Sequence, residues 1–319
     1  MSTSATELKP ASHRVRSAMR LRWPAWAALG VGALFVTVGA AAATKAVHSR
    51  SSSVEGPTGK LWVDDGGRGG MPVLFVHSFA GSTAHWQAQL AHLRPTRRAL
   101  AMDLRGHGRS EPPRNARYAI ADMADDIAAA ADALDLQRFV LVGHSVGSAV
   151  AAAYAARHPE RVAGLLLVGA PGKTEPAQGK SIIDALHADF DKTLGDYTAG
   201  LLRGSRPAVR KRIERSVQSV PHDETLALIE AGFANDPLTD LRQYRGPTLL
   251  IDSTADERPA SLAAQAPHIE HRRIANAGHW LQLDQPAAFN AELDAFLRRL
   301  PQGDVGKLPS PAQHLAKPS

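Results

Sequence analysis

Between the apolar run Phe139-Val140-Leu141-Val142 and the alanine-rich stretch 148–157 lies Gly143-His144-Ser145-Val146-Gly147, and few pentapeptides restrict a fold as tightly. A strand that turns at once into a helix brings two backbones together, so the positions flanking the corner must lack side chains. The serine at the corner then projects its hydroxyl above the sheet. Taken alone, the pattern also fits a tight turn whose serine caps a helix, and the surrounding elements have to decide.

Those elements alternate. Short apolar runs at 61–63, 73–76, 99–102, 139–142, 165–168, 248–251 and 269–274 read as strands, with a turn at Asp64-Asp65-Gly66-Gly67. Between them, 119–136 carries an apolar stripe of Ile120, Met123, Ile127 and Leu134, with Asp122, Asp125, Asp126 and Asp132 off it. That is a surface helix against a sheet. The alternation predicts an α/β fold, a mostly parallel central sheet with helices on both faces and reactive groups at the carboxyl ends of the strands. It is interrupted at 172–246, where helical patterns at 181–194, 207–220 and 223–233 predict a helical cap.

The net charge of +6 would suggest nucleic acid if it were spread over the chain. It is not. Residues 1–50 hold seven Lys and Arg against one acid, and residues 51–319 hold 30 of each, so no nucleic-acid partner is expected. The absence of cysteine removes disulfides, thiolate nucleophiles and thiolate metal sites.

Residues 1–22 read as a basic cytoplasmic region with Arg14, Arg16, Arg20 and Arg22, followed at 23–43 by a segment without a charge. As a helix that segment would extend roughly 30 Å, enough to cross a bilayer. The charge asymmetry predicts a signal anchor, a single-pass N-terminal hydrophobic helix that puts the catalytic domain on the non-cytoplasmic side. A removed signal peptide, giving an exported soluble enzyme, and a buried helix are the alternatives. Residues 44–59, rich in Ser and Gly, are expected to be a flexible linker, 60–300 the catalytic domain and 301–319 a disordered tail.

The chain resembles the α/β-hydrolase fold family, in its branch of small capped serine hydrolases. The likeness is carried by Val73-Leu74-Phe75-Val76-His77-Ser78-Phe79-Ala80-Gly81-Ser82, by Asp103-Leu104-Arg105-Gly106-His107-Gly108-Arg109-Ser110, by Gly143 to Gly147, by 247–256 and by Gly278-His279-Trp280. A serine needs a base to take its proton. Of the fourteen histidines, the resemblance implies His279, on the loop before the last helix-like segment. It implies Asp256 as the carboxylate that orients His279, three residues beyond Ser253, with Asp252 the runner-up and Glu257 a third candidate. The order Ser145, Asp256, His279 fits the fold.

Oxyanion donors are expected at the backbone N–H of Val146, at a helix start, and, by resemblance, of Phe79. Ser78 stands where the family commonly has glycine; its hydroxyl either donates to substrate or bonds the loop backbone, the second being the expectation. The Asp103–Ser110 motif is, by the same resemblance, a structural turn. His77, Ser78, Trp86, His144 and Trp280 are candidate pocket residues.

The predicted activity is hydrolysis of a small-molecule carboxylic ester or related acyl compound through an acyl-enzyme, with no metal and no cofactor. C–C bond hydrolysis, lactone opening, acyl transfer and perhydrolysis use the same triad and stay open. So does a catalytically silent, membrane-tethered binding protein. Oligomeric state is not legible.

Overall fold

A computed structural model describes residues 49–301. The strands β1 (Ser49–Glu55), β2 (Lys60–Gly66), β3 (Val73–Val76), β4 (Ala99–Met102), β5 (Phe139–His144), β6 (Val162–Val168), β7 (Thr248–Asp252) and β8 (Glu270–Arg273) form one sheet. Their order is β1-β2-β4-β3-β5-β6-β7-β8. The pairings β1–β2 and β2–β4 are antiparallel and all others parallel.

The helices are α1 (Gln87–Leu93), α2 (Ile120–Ala133), α3 (Val146–Arg157), α4 (Pro176–Ala188), α5 (Phe190–Leu201), α6 (Pro207–Gln218), α7 (His222–Ala234), α8 (Pro237–Gln243), α9 (Leu262–Gln265), α10 (Leu281–Asp284) and α11 (Pro286–Arg299). Because successive strand residues point to opposite faces, each central strand feeds two cores. Leu74, Val76, Leu100, Met102, Leu141, Leu165 and Leu167 pack with α2 and α3 on one face. Val73, Phe75, Ala99, Ala101, Val140, Val142, Leu166 and Val168 pack with α1 and α11 on the other. Burial on both faces explains why the runs read as continuous apolar segments rather than as alternation.

The interruption at 172–246 holds five helices, α4 to α8. Their inward residues Leu186, Leu194, Leu201, Val209, Ile213 and Val217 form a third apolar cluster with Ala80 and Trp280. The helix expected over 181–194 is two helices, because Asp189 accepts from Lys192 N and caps the start of α5.

Two further expectations are corrected. The linker expected at 44–59 is, from Ser49 to Glu55, the edge strand β1, joined to β2 by a turn in which Gly56 N–H donates to Gly59 O at 3.0 Å. Val54 is buried at this otherwise polar edge, and backbone pairing with β2 supplies the rest. The turn expected at 64–67 begins at Gly67, whose φ is +73°, because Asp64 and Asp65 remain in β2 and bind Arg94 (2.6 Å) and Arg98 (2.7 Å). No helix among the described residues is long and apolar enough to cross a membrane; the segment 23–43 and the tail from 302 onward lie outside the described residues.

Candidate active site

Ser145 sits between β5 and α3 with φ 54° and ψ −120°, a conformation that costs a non-glycine residue of order 1–3 kcal/mol and is held by its surroundings. Its N–H donates to Val168 O at 2.8 Å and its carbonyl accepts from Ser148 N at 2.8 Å. The flanking glycines are required by contact. A Cβ at Gly143 would strike the Gly147 backbone and lie 2.7 Å from Ser148 Cα, and one at Gly147 would strike His77 O and lie 2.7 Å from Val76 O. Ser148 Oγ ties the ends of two strands, donating to Gly143 O at 2.8 Å and lying 3.2 Å from Val168 O.

Asp256 lies on a 3-10 turn after β7, and His279 on the loop after β8. Both are almost wholly buried, and His279 Nδ1 is hydrogen-bonded to Asp256 Oδ1. The other carboxylate oxygen accepts from Ser253 N and from Ser253 Oγ, each at 3.0 Å. Burial pushes the Asp256 carboxyl up, but the adjacent His279 charge and the hydrogen bonds from His279 and Ser253 outweigh it and hold the pKa at about 2. The group is a carboxylate at any ordinary pH. Asp252 points elsewhere, to Arg273 Nε at 3.0 Å, and Glu257 is exposed beside the same arginine at 3.3 Å.

The loop after β3 carries Phe79, half-buried, ahead of Ala80 at φ 53°. Val146 opens α3, so its N–H has no acceptor within the helix. His77, a pocket candidate in the sequence, is wholly buried, and both ring nitrogens are committed to backbone. Nδ1 donates to Ser78 O at 2.7 Å, and Nε2 accepts from Leu104 N at 2.9 Å. Burial lowers its pKa to about 4, so the ring is a neutral staple for this loop. Ser78 is also buried; its Oγ donates to Phe79 O at 3.2 Å and accepts from Trp280 Nε1 at 3.1 Å. Its hydroxyl therefore serves the loop, and Trp280 is held by it against the cap cluster.

Trp86 and His144 are likewise not exposed pocket walls. Trp86 packs on Phe75 and Phe289 in the sheet core. His144 is wholly buried beneath the serine, where burial first and the neighbouring His279 next push its pKa well down. Its Nδ1 accepts from Gln282 Nε2 at 3.1 Å, which leaves Nε2–H to donate to His279 O at 3.0 Å. The residue before Ser145 thus fixes the main chain of His279.

Other groups here carry no motif. Gly169 at the end of β6 has φ 51°, and a Cβ there would lie 2.8 Å from His279 Cε1. Asp284 accepts from Gly278 N (3.0 Å), Ser205 Oγ (2.9 Å) and Arg206 N (2.8 Å), and His279 N donates to Leu201 O (2.9 Å). The loop of His279 is in this way bonded to the cap.

The Asp103–Ser110 turn is structural. Asp103 accepts from Arg109 N at 2.8 Å, and Arg105 grips the buried Asp126 through Nε at 2.6 Å and a terminal nitrogen at 2.7 Å. Among the described residues no cluster of His, Asp or Glu is arranged to hold a metal ion.

A family model described as alpha/beta hydrolase fold matches residues 71–286. The dihydrolipoyllysine-residue acetyltransferase component of the acetoin cleaving system of Pseudomonas putida is 30% identical over 75% of this chain, which spans 66% of that relative's length. The 2-hydroxymuconate semialdehyde hydrolase of Pseudomonas sp. (strain CF600) is 28% identical over 72% of this chain and 87% of its own. Among solved structures, Est816, described as an N-acyl homoserine lactone degrading enzyme, is similar with TM-score 0.69 at 27% identity, over 77% of this chain and 100% of its own.

Proposed function

We propose that this chain, which belongs to the α/β-hydrolase fold family, is a serine hydrolase that cleaves a carboxylic ester or related acyl compound through an acyl-enzyme. The observation that carries this is the buried Asp256–His279 pair, which follows β7 and β8 at the same carboxyl end of the parallel strands as a serine after β5 held at φ 54°.

The steps follow from these groups. Asp256 accepts a hydrogen bond from the Nδ1–H of His279, so the imidazole keeps Nε2 free as a base. As Ser145 Oγ bonds to the acyl carbon, its proton passes to His279 Nε2. Charge develops on the carbonyl oxygen, where the N–H groups of Val146 and Phe79 receive it. The imidazolium that forms is stabilised by the Asp256 carboxylate and then protonates the leaving alcohol. Water attacks the acyl-enzyme by the same path reversed, releasing the acid and restoring Ser145.

A fluorophosphonate probe tests the reading directly: it should label wild-type protein at Ser145 and leave folded Ser145→Ala unlabelled. An unlabelled, folded wild type would overturn it and favour a binding protein. p-Nitrophenyl esters of increasing chain length then rank acyl substrates.

The charge-free segment 23–43 supports a second part of the proposal, a signal anchor that leaves residues 49–301 on the non-cytoplasmic side. Full-length tagged protein should pellet with membranes and be open to protease from the outer side. A shortened, soluble exported form would replace the anchor by a cleaved signal.

A further inference from the structure

Two polar side chains stand behind His279 without a part in the acyl-transfer steps. His144 and Gln282 are both wholly buried. The His144 ring lies 4.7 Å from the His279 ring, centroid to centroid, and meets Trp280 and Trp86 edge-on at 6.0 and 6.4 Å. Gln282 comes from α10, the short helix that follows His279 and Trp280. Gln89 of α1 stands behind it, with Nε2 3.5 Å from Gln282 O and donating to Asn290 Oδ1 of α11 at 3.1 Å.

The protons along this chain are ordered from its far end. A carbonyl only accepts, so His144 Nε2, 3.0 Å from His279 O, must carry hydrogen. Burial and the neighbouring His279 charge keep the His144 ring neutral, which leaves Nδ1 a bare acceptor. Gln282 must then turn its NH2 toward Nδ1, at 3.1 Å, and its Oε1 away, where that oxygen meets no donor among the described residues. The opposite amide orientation would select the Nδ1–H tautomer and set the Nε2 lone pair against His279 O. Stability alone does not select an amide with a buried, unpartnered oxygen, because an apolar side chain of similar shape would leave nothing there unsatisfied.

What the arrangement secures is the His279 main chain. Its N–H donates to Leu201 O at 2.9 Å on the cap side, its carbonyl accepts from His144 on the core side, and its ring is bonded to Asp256. We propose that Gln282 is a positioning residue for the reaction: by holding His144 in the Nε2–H tautomer, it fixes the carbonyl of His279 and with it the placement of the His279 ring toward Ser145. The proposal rests on the serine-hydrolase reading above. Because neither side chain is exposed to substrate, the effect falls on kcat and leaves KM in place.

The test combines variants with a tautomer measurement. Gln282→Met keeps the approximate shape and removes the donor; with p-nitrophenyl acetate it should lower kcat at least about tenfold, the scale of a sub-ångström to 1 Å misplacement, with KM within about twofold of wild type. His144→Leu should lose as much, and His144→Gln, which can again point an amide N–H at His279 O, should recover part. Adding Gln282→Met to His144→Leu should cost no further kcat and should melt no lower than His144→Leu alone. In wild-type protein labelled with 15N-histidine, long-range 1H–15N correlations should show His144 protonated at Nε2 only, and Gln282→Met should bring in the Nδ1–H form. A Gln282→Met protein that melts like wild type and loses less than about tenfold in kcat would overturn the role, as would a full further loss on the His144→Leu background. So would an Nδ1-protonated His144 in wild type, a result that needs no variant to fold. A wild type that takes no fluorophosphonate label fails at the serine-hydrolase step instead, and the tautomer still decides the Gln282–His144 pairing.

Discussion

Replacing Asp256 by asparagine tests the proposed mechanism in a way the structure makes quantitative. The carboxylate has two unequal sides: Oδ1 takes the His279 Nδ1 hydrogen bond, and Oδ2 takes the Ser253 backbone N–H at 3.0 Å. A backbone N–H cannot turn into an acceptor, so the asparagine carbonyl must occupy the Oδ2 side. Its amide NH2 then faces His279. That reverses the hydrogen bond, makes Nδ1 an acceptor, and moves the imidazole proton to Nε2, where the base must be free. The variant should fold, because the Ser253 bonds are kept, yet lose about 10³–10⁴-fold in kcat, the size of effect a wrong tautomer has in serine hydrolases generally. This corresponds to roughly 4–5.5 kcal/mol of barrier. Steady-state hydrolysis of p-nitrophenyl acetate with a parallel melting curve measures both quantities. If Asp256→Asn kept more than about a tenth of wild-type kcat, Asp256 would not be the orienting acid.

Four other outcomes follow from the same geometry. Asp126→Ala strands the buried Arg105 guanidinium and should cost about 3–5 kcal/mol in urea unfolding while sparing kcat in the folded fraction, since the Asp103–Ser110 turn lies outside the proposed chemistry. Gly147→Ala pushes a Cβ into two carbonyl oxygens at the end of β3 and should destabilise by at least about 2 kcal/mol in thermal melts. Ser78→Ala and Trp280→Phe remove the same hydrogen bond and should each lower kcat by a few-fold; the double variant should lose no more than the worse single one, and additive losses would show that the bond does not join the two loops. Burial holds His77 and His107 at about 4 against the ordinary 6.5, so on acidification the unfolded chain takes up protons before the folded one does. Stability should be flat above pH 6.5 and fall by roughly 3 kcal/mol per histidine by pH 4, and the fall in urea midpoint should shrink in His107→Gln.

Much of this site was legible because its signals are local. Gly143 announces a backbone contact with Gly147 and Ser148 that its own sequence neighbours explain, and the strand leading into the motif is a long enough apolar run to stand alone. Asp256 could be picked from Asp252 only through the small residue three positions before it. Ser253 turned out to be the group that secures the carboxylate. What escaped is long-range. Nothing near His144 in sequence says that Gln282, 138 residues away, fixes its ring, or that its other nitrogen holds His279 O. Trp86 and His77 looked like pocket walls because aromatic and imidazole groups beside an active loop fit that role equally well. Only the fold shows that one fills the sheet core and the other is spent on Ser78 and Leu104. The strand Ser49–Glu55 was hidden by its serines, since an edge strand needs one buried residue, Val54, and a partner rather than an apolar run. The break at Asp189 did have a local signal, an aspartate positioned to cap the helix that follows it.

Asp284 has a bearing on redesign. Because one carboxylate holds Ser205, Arg206 and the amide of Gly278 together, the junction between α5 and α6 is shared property of the cap and of the loop that carries His279. A chimera that imported a foreign cap across all of 172–246 would replace Leu201, whose carbonyl accepts from His279 N–H, and Ser205, which bonds Asp284. Grafts that respect this joint, exchanging 176–200 or 207–234 while keeping 201–206, give the natural seams along which such an enzyme can acquire a new substrate without rebuilding its chemistry.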